Sequence, residues 1–146
     1  MVILKYEAFN KHLKFVKINE SDDKQNDPNN LLRQETQNDV SRCVAIIINK
    51  FPFFGEFLIN CRFLYDPPGV DTMATDGKNI FVNCRFAAKL SDKEMIFVLC
   101  HEVLHPIMLH FSRCEKYVGT NLSQSESTRW NIAADHEINP MLVDEG

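Results

Sequence analysis

The sequence predicts an α+β fold that is mostly helical, with a small β-hairpin or sheet beside one long buried helix. Two observations indicate this architecture. The run IFVLCHEVLHPIMLH, Ile96 to His110, is apolar on nearly every side, as is typical of a helix in a protein interior. Two short runs flank Asp76-Gly77, a dipeptide that favours a tight hairpin turn, and the remaining segments carry apolar residues at helical spacing.

Length and composition favour one globular domain. The 146 residues are 45% hydrophobic and 25% charged, which allows a core without disulfide bonds. The formal net charge of -4, without a basic stripe, gives no reason to expect binding to nucleic acid or to a membrane surface. The start MVILKYEAF lacks the features of a signal peptide, and no apolar run reaches a membrane span. We therefore expect an intracellular, cytoplasmic protein whose five scattered cysteines are reduced and mostly buried.

Residues 1–30 are expected to be an N-terminal appendage and polar linker, and residues 31–146 the main domain. Spaced apolar side chains in residues 2–18 suit an amphipathic helix, although LKFVKI could equally form a short strand. Residues 19–39 are acidic and rich in amides, with Asp27-Pro28 as a breaker. This composition predicts a solvated loop.

The main domain is expected to begin with a helix over residues 32–49, where four aliphatic side chains share one face: Val40, Val44, Ile47 and Ile48. Pro52 ends this helix, and a short helix or turn follows to about Arg62. Strands are then predicted at residues 72–75 and 79–83, on either side of the hairpin turn.

Two further helices complete the predicted domain. Ser91 followed by Glu94 is a capping-box signature, so the helix that carries the apolar run is predicted to begin at Ser91 or Asp92. We expect it to run to about Arg113. The segment SESTRWNIAADHEINPML is predicted to form the last helix, until Pro140 breaks or kinks it.

The ionisable residues of the apolar run fit a metal site. His105 lies one turn beyond His101 and only about 40° further round the helix, and Glu102 lies about 100° from His101 on the same side. Two imidazoles at this spacing are adjacent ligands for a tetrahedral zinc ion, and the glutamate can accept a proton from metal-bound water. This HExxH pattern predicts a zinc peptidase with Glu102 as its catalytic residue.

A third protein ligand is needed, and the last predicted helix offers Asp135, His136 and Glu137. The apolar face of that helix comprises Trp130, Ala134, Ile138 and Leu142. Asp135 borders this face on one side and Glu137 on the other, while His136 points away, so Asp135 is favoured as the ligand. Asn139, one turn further on, is a candidate to hold the Asp135 carboxylate in place.

His110 is predicted to pack in the core or to support a ligand, rather than to bind the metal. It lies about 180° round the helix from His101, and no glycine breaks the helix to bring it back. The longer spacing HExxHxxGxxH is absent, because Met108 replaces its glycine and Phe111 its last histidine. Pro106 lacks the N–H of a helical hydrogen bond, so we expect a kink just past the second ligand.

Four stretches resemble a known family: FPFFGEFL, TMATDGKNIFVN, LSDKEMIFVLCHEVLHPIMLH and RWNIAADHEIN. They are similar to the metallopeptidase domain that precedes a von Willebrand factor A-like domain in many bacterial and phage proteins. The resemblance covers about residues 31–142 and implies a zincin-like fold. It also implies that His101, His105 and Asp135 bind the metal and that Glu102 is catalytic. Members of this family continue past NPMLVDEG, so we expect a natural short form or a piece of a longer protein.

The sequence therefore predicts hydrolysis of peptide bonds, with zinc as cofactor and a peptide or protein as substrate. An extended peptide is expected to add to an edge strand at residues 79–83 through main-chain hydrogen bonds. The alternative is a zinc-stabilised protein-interaction module without useful turnover, in which Glu102 would matter for stability rather than for activity. A weaker alternative is a metal-free adaptor in which the histidines satisfy one another, and elemental analysis separates it from both.

Overall fold

A computed structural model describes residues 28–144 of the chain. The helix or strand predicted for residues 2–18 lies outside the described residues. The described part is mostly helical with one small sheet, which confirms the predicted α+β class. Its elements, in chain order, are α1 (Pro28–Lys50), α2 (Pro52–Asn60), β1 (Arg62–Tyr65), β2 (Met73–Thr75), β3 (Asn79–Val82), α3 (Cys84–Ala87), α4 (Asp92–Ile107), α5 (His110–Tyr117) and α6 (Gln124–Asp144).

The first helix is longer than the sequence predicted. The solvated loop expected over residues 19–39 was wrong for residues 28–39, whereas the helix predicted over residues 32–49 is present within α1. The described part of α1 starts at Pro28, a residue that is tolerated in the first turn of a helix. The buried residues then recur every three to four positions, so one narrow apolar face fixes the helix despite its polar composition: Thr36, Val40, Cys43 and Ile47.

The sheet contains three strands in the order β1, β3, β2. The predicted hairpin is present, since β2 pairs antiparallel with β3, while β1 pairs with β3 in parallel and was not predicted as a strand. In the turn, Gly77 has a φ of +89°, and the Asp76 carboxylate accepts hydrogen bonds from the N–H groups of Lys78 and Asn79 at 2.8 and 2.6 Å. Because β3 is paired on both sides, the prediction that a peptide adds to an edge at residues 79–83 was wrong.

The helix α4 begins where the sequence predicted. Ser91 caps it, with its Oγ accepting a hydrogen bond from the Glu94 N–H at 3.4 Å, and the Glu94 carboxylate accepts the Ser91 N–H at 2.8 Å. The helix ends at Ile107, however, and the chain turns by 47° into α5. The prediction of one helix reaching about Arg113 was therefore wrong.

The break between α4 and α5 has a backbone cause. Pro106 has no N–H with which to continue the helical ladder, and the Leu109 N–H donates instead to the Pro106 carbonyl three residues back, at 3.1 Å. Leu109 then adopts a left-handed conformation with a φ of 56°. A residue other than glycine thus makes the turn, at a cost of about 1–2 kcal/mol.

The last helix continues through Pro140 as far as Asp144, so of the two predicted alternatives the break at Pro140 was wrong, while the kink stays a prediction. Ala134 and Ile138 are buried, in agreement with the predicted apolar face. Within the described residues, α6 makes its most extensive contacts with α4.

The main hydrophobic core lies between α1, α4 and the sheet, and its most buried members are Cys43, Ile47, Ile80, Val82 and Leu99. The five cysteines are free, and all except the half-buried Cys61 are buried, as predicted. Within residues 28–144, no single helix is long and apolar enough to cross a membrane, whereas α4 and α5 reach that length and composition only as a bent pair.

Candidate metal site

Three buried side chains meet between α4 and α6. His101 and His105 come from α4, and Asp135 comes from α6. The Nε2 atoms of the two histidines lie 3.1 Å apart, and Asp135 Oδ1 lies 3.2 Å from the first and 3.4 Å from the second. The structure therefore brings together the three residues that the sequence predicted as ligands.

The spacing of these three atoms fits a tetrahedral metal ion. Nitrogen and oxygen ligands about 2.0–2.2 Å from a zinc ion lie roughly 3.3–3.6 Å from one another in a tetrahedron. The separations of 3.1, 3.2 and 3.4 Å lie at or just below this range. Two imidazoles and one carboxylate also form a donor set that zinc takes in sites with an open fourth position.

The outer nitrogen of His101 is held by Asn139. His101 Nδ1 lies 3.0 Å from Asn139 Oδ1, an acceptor, so the Nδ1–H of His101 donates to it. In its neutral form, His101 therefore presents the lone pair of Nε2 to the site. The sequence predicted that Asn139 would hold the carboxylate of Asp135, but that carboxylate is turned toward the two imidazoles and Asn139 contacts His101 instead.

The outer nitrogen of His105 is held by a chain of three further residues, which we call the His110 relay: His110, Glu137 and Arg113. His110 Nε2 lies 3.1 Å from Glu137 Oε2 and must donate to it, because a carboxylate only accepts. His110 Nδ1 therefore accepts the Nδ1–H of His105 at 3.1 Å. Arg113 closes the chain by donating to both carboxylate oxygens of Glu137 at 3.0 and 3.3 Å.

Because of these hydrogen bonds to Asn139 and His110, the three atoms that face one another in the site are all acceptors: His101 Nε2, His105 Nε2 and Asp135 Oδ1. With their N–H groups committed to Asn139 and His110, neutral His101 and His105 both direct lone pairs at Asp135 Oδ1 and at each other. Three acceptors 3.1–3.4 Å apart repel one another unless a cation or an added proton lies between them. The arrangement therefore suits a bound metal ion.

The break after α4 explains why His110 reaches the site. A continuous helix would place His110 opposite His101, as the sequence predicted, and that geometry was wrong because α4 ends at Ile107. The left-handed Leu109 instead directs the buried side chain of His110 onto His105. Sequence reasoning also missed Arg113, although its spacing of three residues after His110 on a helix is a signal that the two share a face.

Glu102 is fully buried beside the ligands, and neither of its carboxylate oxygens has a hydrogen-bond partner among residues 28–144. Burial raises the pKa of this carboxyl group to about 7, with His101 opposing the rise and Asp135 adding to it. A carboxyl group with a pKa near neutrality can both accept and release a proton at ordinary pH. An unpaired buried carboxyl group is costly, which argues that this position serves chemistry rather than stability.

The charge states of the other groups follow from burial and from their contacts. Burial lowers the pKa of His105 and of His110, which favours the neutral imidazoles. At His101 burial also acts to lower the pKa, but contacts with Asp135 and Glu102 outweigh it and raise the value. At Asp135 burial acts to raise the pKa, and the two imidazoles outweigh it and lower the value. The cluster thus favours a positive charge between the two helices.

The remaining candidate ligand lies away from this cluster. His136 is exposed, as its predicted outward position requires, whereas the neighbouring Asp135 is buried.

A groove of about 490 Å³ opens onto the site. One end is formed by His101, Asp135 and Asn139. The rest is lined by residues from α3, from the first half of α4 and from the link between them: Phe86, Leu90, Lys93, Glu94, Phe97 and Val98. A ligand in this groove would therefore contact the candidate metal site directly.

Comparisons with known proteins agree with this geometry at the level of the family. No curated protein and no solved structure matches the chain. A family model described as "Putative metallopeptidase domain" matches residues 35–146, a range that contains Glu102 and all three candidate ligands. This match covers more than half of the chain. The chain therefore belongs to this metallopeptidase-domain family, as the resemblance of its sequence motifs predicted.

Proposed function

We propose that this domain is a zinc-dependent peptidase that hydrolyses peptide bonds in a peptide or protein and has a zincin-like fold. The observation that carries the proposal is the set of three buried acceptor atoms converging beside the unpaired carboxylate of Glu102. A purely structural metal site usually closes its coordination with four protein ligands. The cluster in residues 28–144 offers three, next to a candidate general base.

Each residue of the site has a distinct part in this proposal. His101, His105 and Asp135 would hold the zinc ion. When bound, zinc supplies a Lewis acid that lowers the pKa of a water molecule and polarises a carbonyl group. Glu102 would accept the proton of the attacking water and deliver it to the leaving amine.

The outer residues of the site would fix the two imidazoles. Asn139 and His110 each accept an Nδ1–H, which keeps His101 and His105 in the tautomer that presents Nε2.

The test is the substitution Glu102→Gln, which keeps the size of the side chain and removes its basicity. We expect the variant to keep its zinc content and melting temperature, because Glu102 is not among the ligands. Cleavage of fluorescently labelled casein should fall by about 10²- to 10⁴-fold. Glu115→Gln, which makes the same change at an exposed position of α5, is the control and should retain full activity.

The same measurements separate the alternatives. A zinc-stabilised interaction module would contain zinc but would cleave nothing, and Glu102→Gln would change only its stability. A metal-free adaptor would show no zinc in elemental analysis of the purified protein. Equal casein cleavage by the wild type and Glu102→Gln would refute the assignment of the general base.

A further inference from the structure

The groove beside the metal site has an aromatic wall whose exposed residue, Phe97, is not explained by core packing. Phe97 lies one turn before His101 on α4, and its ring centroid is 6.4 Å from that of the His101 imidazole. Its side chain is 38% exposed, and it is not part of the main buried cluster. Val98, which is part of the main core, and Phe86 and Leu90, which pack against that core, extend the same apolar lining. A large apolar group next to the metal site would cover this wall.

Lys93 also lines the groove, about two helical turns from His101, and it carries a positive charge. The Glu94 carboxylate is occupied, since it accepts the N–H and the Oγ–H of Ser91 in the cap of α4. Lys93 has no ion pair within residues 28–144, although it lines the groove. Eight residues of helix separate the Cα atoms of Lys93 and His101 by about 12 Å along the helix axis. This is the length of three to four residues of extended peptide.

We propose that the groove binds a peptide segment with a large apolar side chain beside the scissile bond and an acidic side chain about three residues further along. This specificity rests on the proposed peptidase function. A groove of about 490 Å³ is large enough for several residues rather than one side chain. The apolar wall selects the first of these residues, and Lys93 selects the acidic one by charge.

The probes are two acetylated and amidated peptides, Ala-Ala-Phe-Ala-Ala-Asp and its reverse, Asp-Ala-Ala-Phe-Ala-Ala. Binding is measured by calorimetry on the zinc-loaded Glu102→Gln protein, so that turnover does not interfere. We expect one of the two directions to bind at least about tenfold more tightly than the peptide in which alanine replaces phenylalanine. Equal binding of the phenylalanine and alanine peptides, or no binding of either, would overturn the proposal.

Phe97→Ala tests the aromatic wall. It should abolish the preference for phenylalanine, because the exposed ring is lost while the core is untouched. Phe57→Ala removes a ring of similar exposure, 36%, on α2 outside the groove, and should leave the preference unchanged. A preference that survives Phe97→Ala would mean that the apolar residue binds elsewhere.

Lys93→Glu tests the charged end. In the direction that the protein with Lys93 binds better, we expect the aspartate peptide to bind more tightly than the same peptide with lysine in place of aspartate. Lys93→Glu should reverse this preference. Lys89→Glu makes the same change in net charge just outside the groove and should not reverse it. Loss of the preference in both variants would show a general charge effect and would overturn the role of Lys93.

These experiments can refute the proposed specificity and the proposed peptidase function independently. If the Glu102→Gln protein binds the phenylalanine peptide selectively but the wild-type protein does not cleave casein, the proposed groove specificity stands and the proposed peptidase function is refuted. If the wild-type protein cleaves casein but the Glu102→Gln protein shows no preference among the peptides, the peptidase function stands and the proposed specificity is refuted.

Discussion

Removing His110 should weaken metal binding without removing a ligand. His110→Ala deletes the acceptor for the His105 Nδ1–H, which is 3.1 Å away, and it also leaves Glu137 paired with Arg113 alone among the contacts described. His105 is then free to rotate or to change tautomer, so its Nε2 lone pair is no longer fixed toward the site. Zinc binding must then order the ring that His110 had held.

The expected size of the effect follows from the burial of His105. Its side chain is only 1% exposed, so solvent cannot readily replace the lost acceptor. An unsatisfied buried donor costs about 1–3 kcal/mol. Losing a residue that orients a metal-bound histidine typically weakens metal affinity about 10- to 100-fold, equivalent to roughly 1.4–2.7 kcal/mol. We therefore expect His110→Ala to retain one zinc site with an affinity reduced by that factor.

Competition with a chromogenic zinc chelator measures this affinity directly. Cys114→Ala, one turn further along α5, removes another buried side chain without touching the His110 relay, and should bind zinc like the wild type. His110→Gln offers both an acceptor and a donor and should recover part of the lost affinity. If His110→Ala and Cys114→Ala bind zinc equally well, the relay does not orient His105. If His110→Ala loses the site while Asp135→Ala retains it, His110 is itself a ligand and the assignment of Asp135 is wrong.

Three further substitutions and one control test the site and its supports. Asp135→Ala should lower both the zinc content and the melting temperature, because a buried carboxylate joins α4 to α6, whereas His136→Ala at the next, exposed position should change neither. Ser91→Ala should destabilise the protein by about 1 kcal/mol in chemical denaturation, since it removes the cap of α4, and an unchanged midpoint would contradict that role. Leu109→Gly should stabilise it by roughly 0.5–1 kcal/mol, because φ is 56° and glycine adopts that angle without strain. A lower melting temperature for this variant would show that the exposed leucine side chain contributes more than its backbone costs.

The parts of the site that the sequence could predict depend on spacing within one helix. His101 and His105 share a face of α4 because they are four residues apart, and the capping box at Ser91 fixed where that helix begins. Asp135 could be selected because it borders the apolar face of α6, although the sequence alone did not bring α6 to α4. The pairing of β2 with β3 was likewise predictable from one local turn.

The parts that could not be predicted depend on contacts between distant residues or on strained backbone. The strand β1 is only four residues long, and its parallel pairing with β3 leaves no local signal. The turn at Leu109 uses a left-handed conformation that sequence patterns reserve for glycine. Asn139 contacts His101 rather than Asp135 because the relative position of two helices, not the spacing along one, decides which atoms meet.

Three costly features of this fold lie in one short stretch of the chain. Glu102 is buried without a partner, Pro106 interrupts the helical ladder and Leu109 has a strained backbone, all within ten residues of His101. The core between α1 and the sheet shows no such conflict, since its buried members are mainly apolar. Selection for stability alone would replace the buried carboxylate with an apolar residue of similar size. The conflict is explained if these residues are kept for the site, with Pro106 and Leu109 ending α4 so that His110 can support the second ligand.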